Sequence, residues 1–331
     1  MASRIRLFDR RGTLLYEPSA PAFREWVLND IGNASFTIKA DGLESFVQAG
    51  NYVTIEHDKL PDIYSGIIAA ARPWAAKTIT VNAKSSMSLF SLRRGEYQQP
   101  VSGSWGVVLS QLIGLLNGPE QTLLRIGTYD DGISYDSVVD LSNMYTYLQR
   151  ALAQSQTRLD FRPVVTNGKL IIYIDMQPTL YTESDLILRE GLNIERNSPL
   201  LIEQGEIYND INVLGVDLNQ VKFLANATDP ISIELYGLRQ TLFSEGQSQA
   251  DVDRLAVVRL AQYAYPRKTI SMTAIDENNT FLNVRVGNSG FAELQTVGYL
   301  NGGIGLRGTA SIRVVQFDDK TEEAALVCEE L

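Results

Sequence analysis

The sequence predicts a mainly β protein in which two β-barrel domains are separated by a mixed α+β domain. Residues 1–100 and 206–331 are rich in short runs where apolar and polar residues alternate, whereas residues 101–205 hold two helical patterns and a hairpin. Such alternation is typical of strands with one buried face. A length of 331 residues exceeds one ordinary core and favours two or three domains.

The first region contains five strand-like runs separated by turn residues. Their near-regular spacing favours a small barrel or sandwich. The runs are RIRLFD, ASFTIKA, NYVTIEH, DIYSGIIAA and KTITVNAKS, at residues 4–9, 34–40, 51–57, 62–70 and 77–85.

The middle region predicts two helices and a hairpin. SWGVVLSQLIGLLNGP offers Ser104 as N-cap, an apolar face over Val108–Leu116 and a stop at Gly118 and Pro119. SNMYTYLQRALAQSQ, residues 142–156, offers Ser142 as N-cap and apolar residues at helical spacing. RLDFRPVVTNGKLIIYIDM then predicts a β-hairpin, because Asn-Gly between apolar runs is a strong hairpin signal.

The last region returns to strands around one inserted helix, 248–264, which Ser248 would cap and Pro266 would end. RGTASIRVVQFDD and EEAALVCEEL predict a closing hairpin around Asp318–Lys320. The other predicted strands are DINVLGVD, ISIELYG, KTISMTA, NVRVG and ELQTVGYL, at residues 210–217, 231–237, 268–274, 283–287 and 293–300.

Composition excludes several classes of protein. The net charge of −10, without a long basic cluster, argues against a general nucleic-acid binder, whose affinity depends on neutralising phosphates. One cysteine, Cys328, permits no internal disulfide and no cysteine-based zinc site. No run approaches the roughly 20 apolar residues of a membrane span, and the N-terminus lacks an apolar signal core. We therefore expect folding in a cytoplasm and no membrane insertion.

Three features invite a site interpretation, and each has a plainer one. The single histidine, His57, ends a strand before the turn DKLPD, so we expect a structural or surface role. Gly303–Gly308 fits GxGxxG, but a strand pattern follows it where a dinucleotide site needs a helix. The acidic string at 129–140 has the wrong spacing for a calcium loop, which favours a polar loop. Its carboxylates are Asp130, Asp131, Asp136 and Asp140.

We therefore predict no catalytic residue, no cofactor-binding residue, no metal site and no cofactor. GxSxG, HExxH and P-loop motifs are absent from the sequence. Trp26, Trp74 and Trp105 are expected in the core. A pair of acidic residues of the glycosidase type stays open as an alternative.

The order of the segments resembles bacteriophage tail hub proteins, of the siphophage tail-tip or baseplate-hub family. One part of the resemblance is the strand YSGII followed by a segment with S-x-x-x-L-F-x-x-R, here Ser85 through Arg93. The other is the succession EIYNDINVLGVD, ISIELYGLRQTLFSE, the helix ending near Pro266, and LNVRVGNSG. Single motifs have low specificity, and their order across nearly the full chain carries the likeness.

The resemblance implies two tube-type β-barrel domains, 1–100 and 206–331, separated by an α+β domain, 101–205. It implies a homotrimeric, non-enzymatic structural virion protein at the tail tip. Its partners would be a hexameric tail tube or distal tail protein and a central fibre or spike, and DNA would pass through its channel without specific binding. The protein would assemble in the host cytoplasm and reside in the virion tail.

Further expectations follow from that resemblance. Acidic residues would line the channel and repel DNA phosphates. The apolar face Val108–Leu116 would cover a neighbouring subunit or the core of the middle domain. Many family members carry C-terminal fibre or peptidoglycan-cleaving domains, and this sequence ends at Leu331, so lytic activity is not expected from these residues.

Two alternatives stay open at this point: a hub of a contractile injection particle or bacteriocin, and a carbohydrate-binding adhesin.

Overall fold

The computed structural model describes residues 3–39, 46–72, 77–95, 99–129, 134–139, 143–217, 219–246, 248–277, 279–296 and 305–330. The chain divides into two compact units, which we call unit 1 (residues 1–200 and 270–331) and unit 2 (residues 201–269). Strands joined in one large, mostly antiparallel sheet dominate unit 1. The prediction of a mainly β fold with a few helices is confirmed.

The first segment of unit 1 forms eight strands, and each of the five predicted runs is one of them. A 3-10 helix, Ser86–Leu92, follows the eighth strand. The strands are β1 (Ser3–Phe8), β2 (Leu14–Tyr16), β3 (Ser19–Ala20), β4 (Ala22–Val27), β5 (Asn33–Lys39), β6 (Tyr52–Glu56), β7 (Tyr64–Arg72) and β8 (Thr78–Ser85).

The alternation of apolar and polar residues in the sequence corresponds to an alternation of buried and exposed side chains in the structure. Phe36 of β5 lies opposite Val81 of β8, and both side chains are buried. On the other face Thr37 and Thr80 are exposed, and their hydroxyls are 3.2 Å apart. Because successive side chains of a strand point to opposite faces, this register fixes which residues enter the core.

The middle segment contains both predicted helices and the predicted hairpin. The buried face of α1 packs in a core formed largely by the middle segment, which is the second of the two expected positions for the apolar face Val108–Leu116. The elements are β9 (Gln99–Ser104), α1 (Trp105–Asn117), β10 (Leu124–Ile126), β11 (Ser134–Val139), α2 (Met144–Ser155), β12 (Arg158–Thr166) and β13 (Lys169–Gln177).

Two local details of this segment differ from the sequence prediction. Ser142 lies outside the described residues, and α2 is capped by Asn143, whose side chain accepts a hydrogen bond from the Tyr145 amide. Residues 134–139, predicted as part of a polar loop, form β11 and pair with β9. Cross-strand hydrogen bonds to β9 stabilise an extended conformation that a polar composition alone did not indicate.

The Asn-Gly hairpin is confirmed in register and in turn geometry. Thr166 of β12 pairs with Lys169 of β13, and Asn167 and Gly168 both have positive φ, 50° and 71°. Two such residues form a type I′ turn, whose twist matches that of the flanking strands.

The last segment holds the remaining strands and helices. The helix predicted at 248–264 is present, with the Ser248 side chain accepting from the Asp251 amide, and the closing hairpin is present as well. The elements are β14 (Thr182–Arg189), β15 (Leu200–Gln204), β16 (Asp210–Val216), β17 (Lys222–Thr228), α3 (Pro230–Tyr236), β18 (Gln240–Ser244), α4 (Gln249–Tyr263), β19 (Arg267–Ala274), β20 (Asn288–Leu294), β21 (Leu306–Asp318) and β22 (Glu323–Glu330).

The predicted strand ISIELYG is wrong, because these residues form α3. Asp229 caps the helix by accepting from the Ser232 amide, Pro230 occupies its first turn, and Gly237 follows its end with a φ of 76°. These are the start and stop signals of a helix, and they override the β propensity of the isoleucines.

The predicted strand NVRVG is also wrong. A 3-10 helix at Thr280–Asn283 precedes a turn at Gly287, where φ is 83°, and β20 begins only at Asn288. Of the predicted strand ELQTVGYL, Glu293 and Leu294 lie in β20, whereas 297–300 fall outside the described residues.

The large sheet joins the two ends of the chain. Its strand order includes β19-β22-β21-β4-β5-β8-β7-β6-β1-β2, and β21 pairs with β4 from Val314 opposite Val27 to Asp318 opposite Phe23. The division into domains at residues 100 and 205 stays a prediction.

Unit 2 is a small sheet covered on one face by α4. Its strand order is β17-β16-β18, with β17 antiparallel and β18 parallel to β16. Its buried core consists of Ile211, Val213, Ala225, Val252, Leu255 and Ala256.

Two glycine substitutions should have opposite effects on stability. Gly168→Ala places a side chain at a left-handed φ and should destabilise the protein by about 1 kcal/mol, although space is available there. Gly114→Ala, in the exposed interior of α1 with no neighbour within 4 Å, should stabilise by roughly 0.5–1 kcal/mol. Thermal unfolding compares the two, and equal shifts would contradict the turn assignment.

Candidate functional site

A buried ion pair lies where the two ends of the chain meet. Arg24 of β4 forms a salt bridge with Asp319, which directly follows β21, and both side chains are 0% exposed. The Asp319 carboxylate also accepts from the amides of Ser3 (3.1 Å) and Ala22 (2.9 Å). One carboxylate therefore binds β1, the start of β4 and the Arg24 side chain.

The local sequence places Asp319 at this position. Asp318 ends β21, and its carboxylate accepts from the Lys320 amide at 2.9 Å, which holds the turn into β22. The Asp319 amide donates to the Ala22 carbonyl at 3.1 Å. The turn thus continues the β21–β4 ladder by one bond and directs the second aspartate inward.

His57 lies beside this ion pair and is buried, so it has no surface position. Its Nδ1 accepts from the Lys59 amide at 3.2 Å, which assigns the proton of the neutral ring to Nε2. Nε2 is 4.0 Å from the Asp319 carboxylate and has no hydrogen-bond partner among the described residues. Burial lowers the pKa of His57; the Asp319 charge opposes that change and the Arg24 charge adds to it.

The Phe317 ring contacts both the Arg24 guanidinium and the His57 imidazole. Arg24 lies over the Phe317 ring at 5.1 Å, and the His57 ring centroid is 5.1 Å from that of Phe317. Phe281 meets the same ring edge-on at 5.6 Å. We call Ser3, Arg24, His57, Phe317 and Asp319 the junction.

The charged groups of the junction hold the fold together. Burial lowers the pKa of the Arg24 guanidinium, and the neighbouring Asp319 carboxylate counteracts this by favouring the charged form. A desolvated cation of this kind needs its carboxylate, so the pair specifies one packing of β4 against the β21–β22 turn.

A cleft of about 420 Å³ in unit 1 is lined by paired charges. Its arginines bind carboxylates at 2.7–3.0 Å, in the pairs Arg285–Asp62, Arg158–Asp160 and Arg162–Asp175. Within the described ranges, no three metal-ligating side chains of the His, Cys, Asp or Glu type come together.

The surface of unit 2 is rich in exposed apolar side chains. On α3, Ile231 and Leu235 are four residues apart on one face and each is 63% exposed; Leu238, just beyond the helix, is 59% exposed. Of the twenty large apolar side chains exposed in the described part of the chain, ten belong to unit 2: Val216, Val221, Leu224, Ile231, Leu235, Tyr236, Leu238, Leu242, Val257 and Tyr265.

Most of the other sequence candidates lie outside the described residues. Asp130, Asp131 and Asp140 lie outside the described residues, while Asp136 lies in β11. Gly303 also falls outside, and the residues from Leu306 onward form β21, so a strand does follow the glycine-rich run.

The described tryptophans and the cysteine are buried or partly buried. Trp105 is buried, and its indole donates to the Thr157 hydroxyl at 2.8 Å; Trp26 is partly buried, and Trp74 is outside the described residues. Cys328 is buried, which raises the pKa of its thiol to about 12. None of the helices in the described ranges combines the length and apolar character that crossing a membrane requires.

Removing either member of the Arg24–Asp319 pair should cost about 3–5 kcal/mol of unfolding free energy, because the other charge stays buried alone. The double variant Arg24→Met/Asp319→Asn should lose less than the sum of the single variants, as measured by denaturant unfolding.

The control is Arg189→Met, which removes an exposed pair whose side chains are 49% and 34% exposed. It should cost at most about 1 kcal/mol. Single junction variants as mild as this control would show that the buried pair does not hold the two ends together.

Comparison with known proteins relates this fold to phage tails. No protein-family model and no curated protein matches the sequence. The structure is similar to a tail protein from Neisseria meningitidis MC58, with a TM-score of 0.63 and 13% identity over 100% of this chain and 97% of that one. It is similar to prophage tail protein gp18 from Listeria monocytogenes EGD-e, with a TM-score of 0.62 and 11% identity over 99% and 94%.

A third similar structure comes from a secretion system. The E. coli c3393 protein is described as a type VI secretion component with structural similarity to the T4 tail proteins gp27 and gp5. It matches with a TM-score of 0.52 and 10% identity, over 93% of this chain and 73% of that one. The chain therefore shares its fold with these phage tail proteins.

Proposed function

We propose that this protein is a structural hub subunit of a phage tail, three copies of which form a ring at the tail tip. The observation that carries the proposal is the extent of the likeness: 99–100% of this chain aligns with 94–97% of two tail proteins. A likeness of this extent concerns the whole architecture and not one shared domain.

In the proposed ring, three chains contribute six similar elements, two from each chain. β4 of the first segment pairs with β21 of the last, so the two strand-rich ends of one chain lie side by side in one sheet. Two tube domains per chain, 1–100 and 206–331 with 101–205 between them, would present six elements to a sixfold tube. The opposite face would keep threefold symmetry for a fibre or spike.

A closed ring needs an interface in which two different surfaces of each copy meet. Such an interface buries apolar side chains at its centre. The exposed residues Ile231, Leu235 and Leu238 of unit 2 have this character, and we propose that they lie in an assembly contact.

We also infer that the protein is not an enzyme and that it assembles in the host cytoplasm as part of the virion tail. The His57 imidazole is buried beside the Arg24–Asp319 ion pair and packs on the Phe317 ring, which supports a structural role. General acid–base catalysis needs a base within reach of a substrate proton.

The proposal that acids line the DNA channel remains open. The outward faces of β5 and β8 carry hydroxyl and amide groups with Lys39 and Lys84, and no carboxylate. An acidic lining would have to come from other strands. DNA passage measured after neutralising candidate acids is the test, and unchanged passage would argue against an acidic lining.

The likeness to a type VI secretion component favours one further candidate function, the hub of a contractile injection particle. The presence or absence of DNA in purified particles that contain this protein separates the two functions. Binding to a glycan array would instead favour an adhesin.

The purified protein should be a trimer of about 110 kDa by light scattering, three times the 36.7 kDa chain. Negative-stain images of the same sample should show a ring with a central hole. A stable monomer that also fails to join purified tail tubes would contradict the hub function.

Leu235→Asp should abolish assembly while leaving the fold intact, because this exposed side chain contributes little to stability. Its matched control is Leu92→Asp in unit 1, which alters a side chain of equal exposure, 63%. Light scattering and thermal unfolding are measured on both. If the control also dissociates, or if Leu235→Asp assembles normally, the α3 face is not a contact.

A further inference from the structure

The one imidazole of the chain lies against the ion pair that holds its two ends together. His57 is buried, its Nε2 is unsatisfied, and the nearest charged oxygen is that of Asp319 at 4.0 Å. This distance is too long for a direct hydrogen bond between the two side chains. The Nε2 group of the neutral ring is therefore buried without a hydrogen-bond partner among the described residues.

Protons can reach this position from the surface. His57 lines a pocket of about 190 Å³ together with the charged residues Arg4, Glu17, Glu56 and Asp58. Glu17 forms a salt bridge with Arg4, and Glu56 binds Arg6 at 3.1 Å, so both glutamates of the pocket are paired with arginines.

The charges that face the ring are opposed. Asp319 approaches from the β21–β22 turn and favours an imidazolium, whereas Arg24 approaches from β4 and disfavours it. Asp58 lies on the same loop, and the Lys59 amide already occupies Nδ1. A proton on Nδ1 would break that hydrogen bond, and a second cation would have to share Asp319 with Arg24.

We propose that His57 is a proton-sensitive latch, and that its protonation loosens the junction between the first strands and the β21–β22 turn. The neutral ring packs on Phe317 and leaves Asp319 to Arg24, Ser3 and Ala22. The imidazolium draws on the same carboxylate and is better solvated when the turn moves away. This inference does not depend on the role in a phage tail.

The direction of the pH effect follows from the environment of the ring. The pKa of His57 is lowered in the closed junction, whereas in an open junction it is near its usual value of about 6.5. Above that pH both states are neutral and the junction has its full stability. As the pH falls below about 6.5, the open state binds the proton first, so stability is lost.

The first experiment uses the single histidine as its own probe. Selective labelling of histidine gives one imidazole signal, because the chain contains one His. We expect this signal to titrate below pH 6.5 in the folded protein and near 6.5 in denaturant. A folded value at or above 6.5 would overturn the proposal, and this measurement needs no variant.

The second experiment measures amide hydrogen exchange at Ser3, Ala22 and Asp319, whose amides make the junction hydrogen bonds. Between pH 7.5 and 5.5 their protection should fall by up to about tenfold, the limit for an open-state pKa near 6.5. Amides of the β12–β13 hairpin, as internal control, should keep their protection.

His57→Asn is the matched variant, because its amide oxygen can still accept from the Lys59 amide and it does not titrate. Its junction amides should show no loss of protection over this pH range. If His57→Asn shows the same loss as the parent, another group causes it and the latch is refuted. His57→Gln provides the same test if the first variant does not fold.

Discussion

The ion pair between Arg24 and Asp319 is the constraint on which the meeting of the two chain ends depends. Both side chains are fully buried, so each charge has given up its hydration and relies on the other. Asp319 also accepts from the Ser3 and Ala22 amides, which belong to the first strands. Any packing that separates the β21–β22 turn from β4 would leave charges buried without partners.

A buried ion pair adds specificity more than net stability, because the desolvation of two ions offsets much of their attraction. Here the specificity concerns register. Phe317 lies opposite Arg24 in the β21–β4 ladder, and a shift of β21 by two residues would keep apolar side chains inward. The same shift would move Asp319 away from the guanidinium. We infer that the pair selects one register where apolar packing alone would tolerate others.

Sequence reasoning succeeded where a signal lies within a few neighbouring residues. The Asn167–Gly168 turn, the Ser248 cap of α4 and the alternation of β5 each carry their structure locally. It failed at residues 231–237, where the isoleucines were given more weight than the Asp229 cap, Pro230 and Gly237. The sequence there contains the correct start and stop signals of a helix, but the prediction gave them less weight than the β propensity of the isoleucines.

The junction was beyond local reasoning for a different reason. Arg24 and Asp319 are 295 positions apart, and nothing near either residue identifies the other as its partner. The inward position of Arg24 could have been read from the alternation of β4, where Ala22 and Arg24 share a buried face. A charged residue at such a position requires a buried counter-charge, but only the pairing of β4 with β21 shows which acid supplies it.

The two units differ in how they satisfy their side chains. Unit 1 encloses its one imidazole and its buried arginine, and it pairs the arginines of its cleft with carboxylates. Unit 2 has a small core under α4 and leaves Leu224, Leu235 and Leu242 exposed to solvent. Large exposed apolar surfaces mark contacts with other molecules. The exposed leucines on two strands and one helix of unit 2 are therefore suited to burial against another molecule.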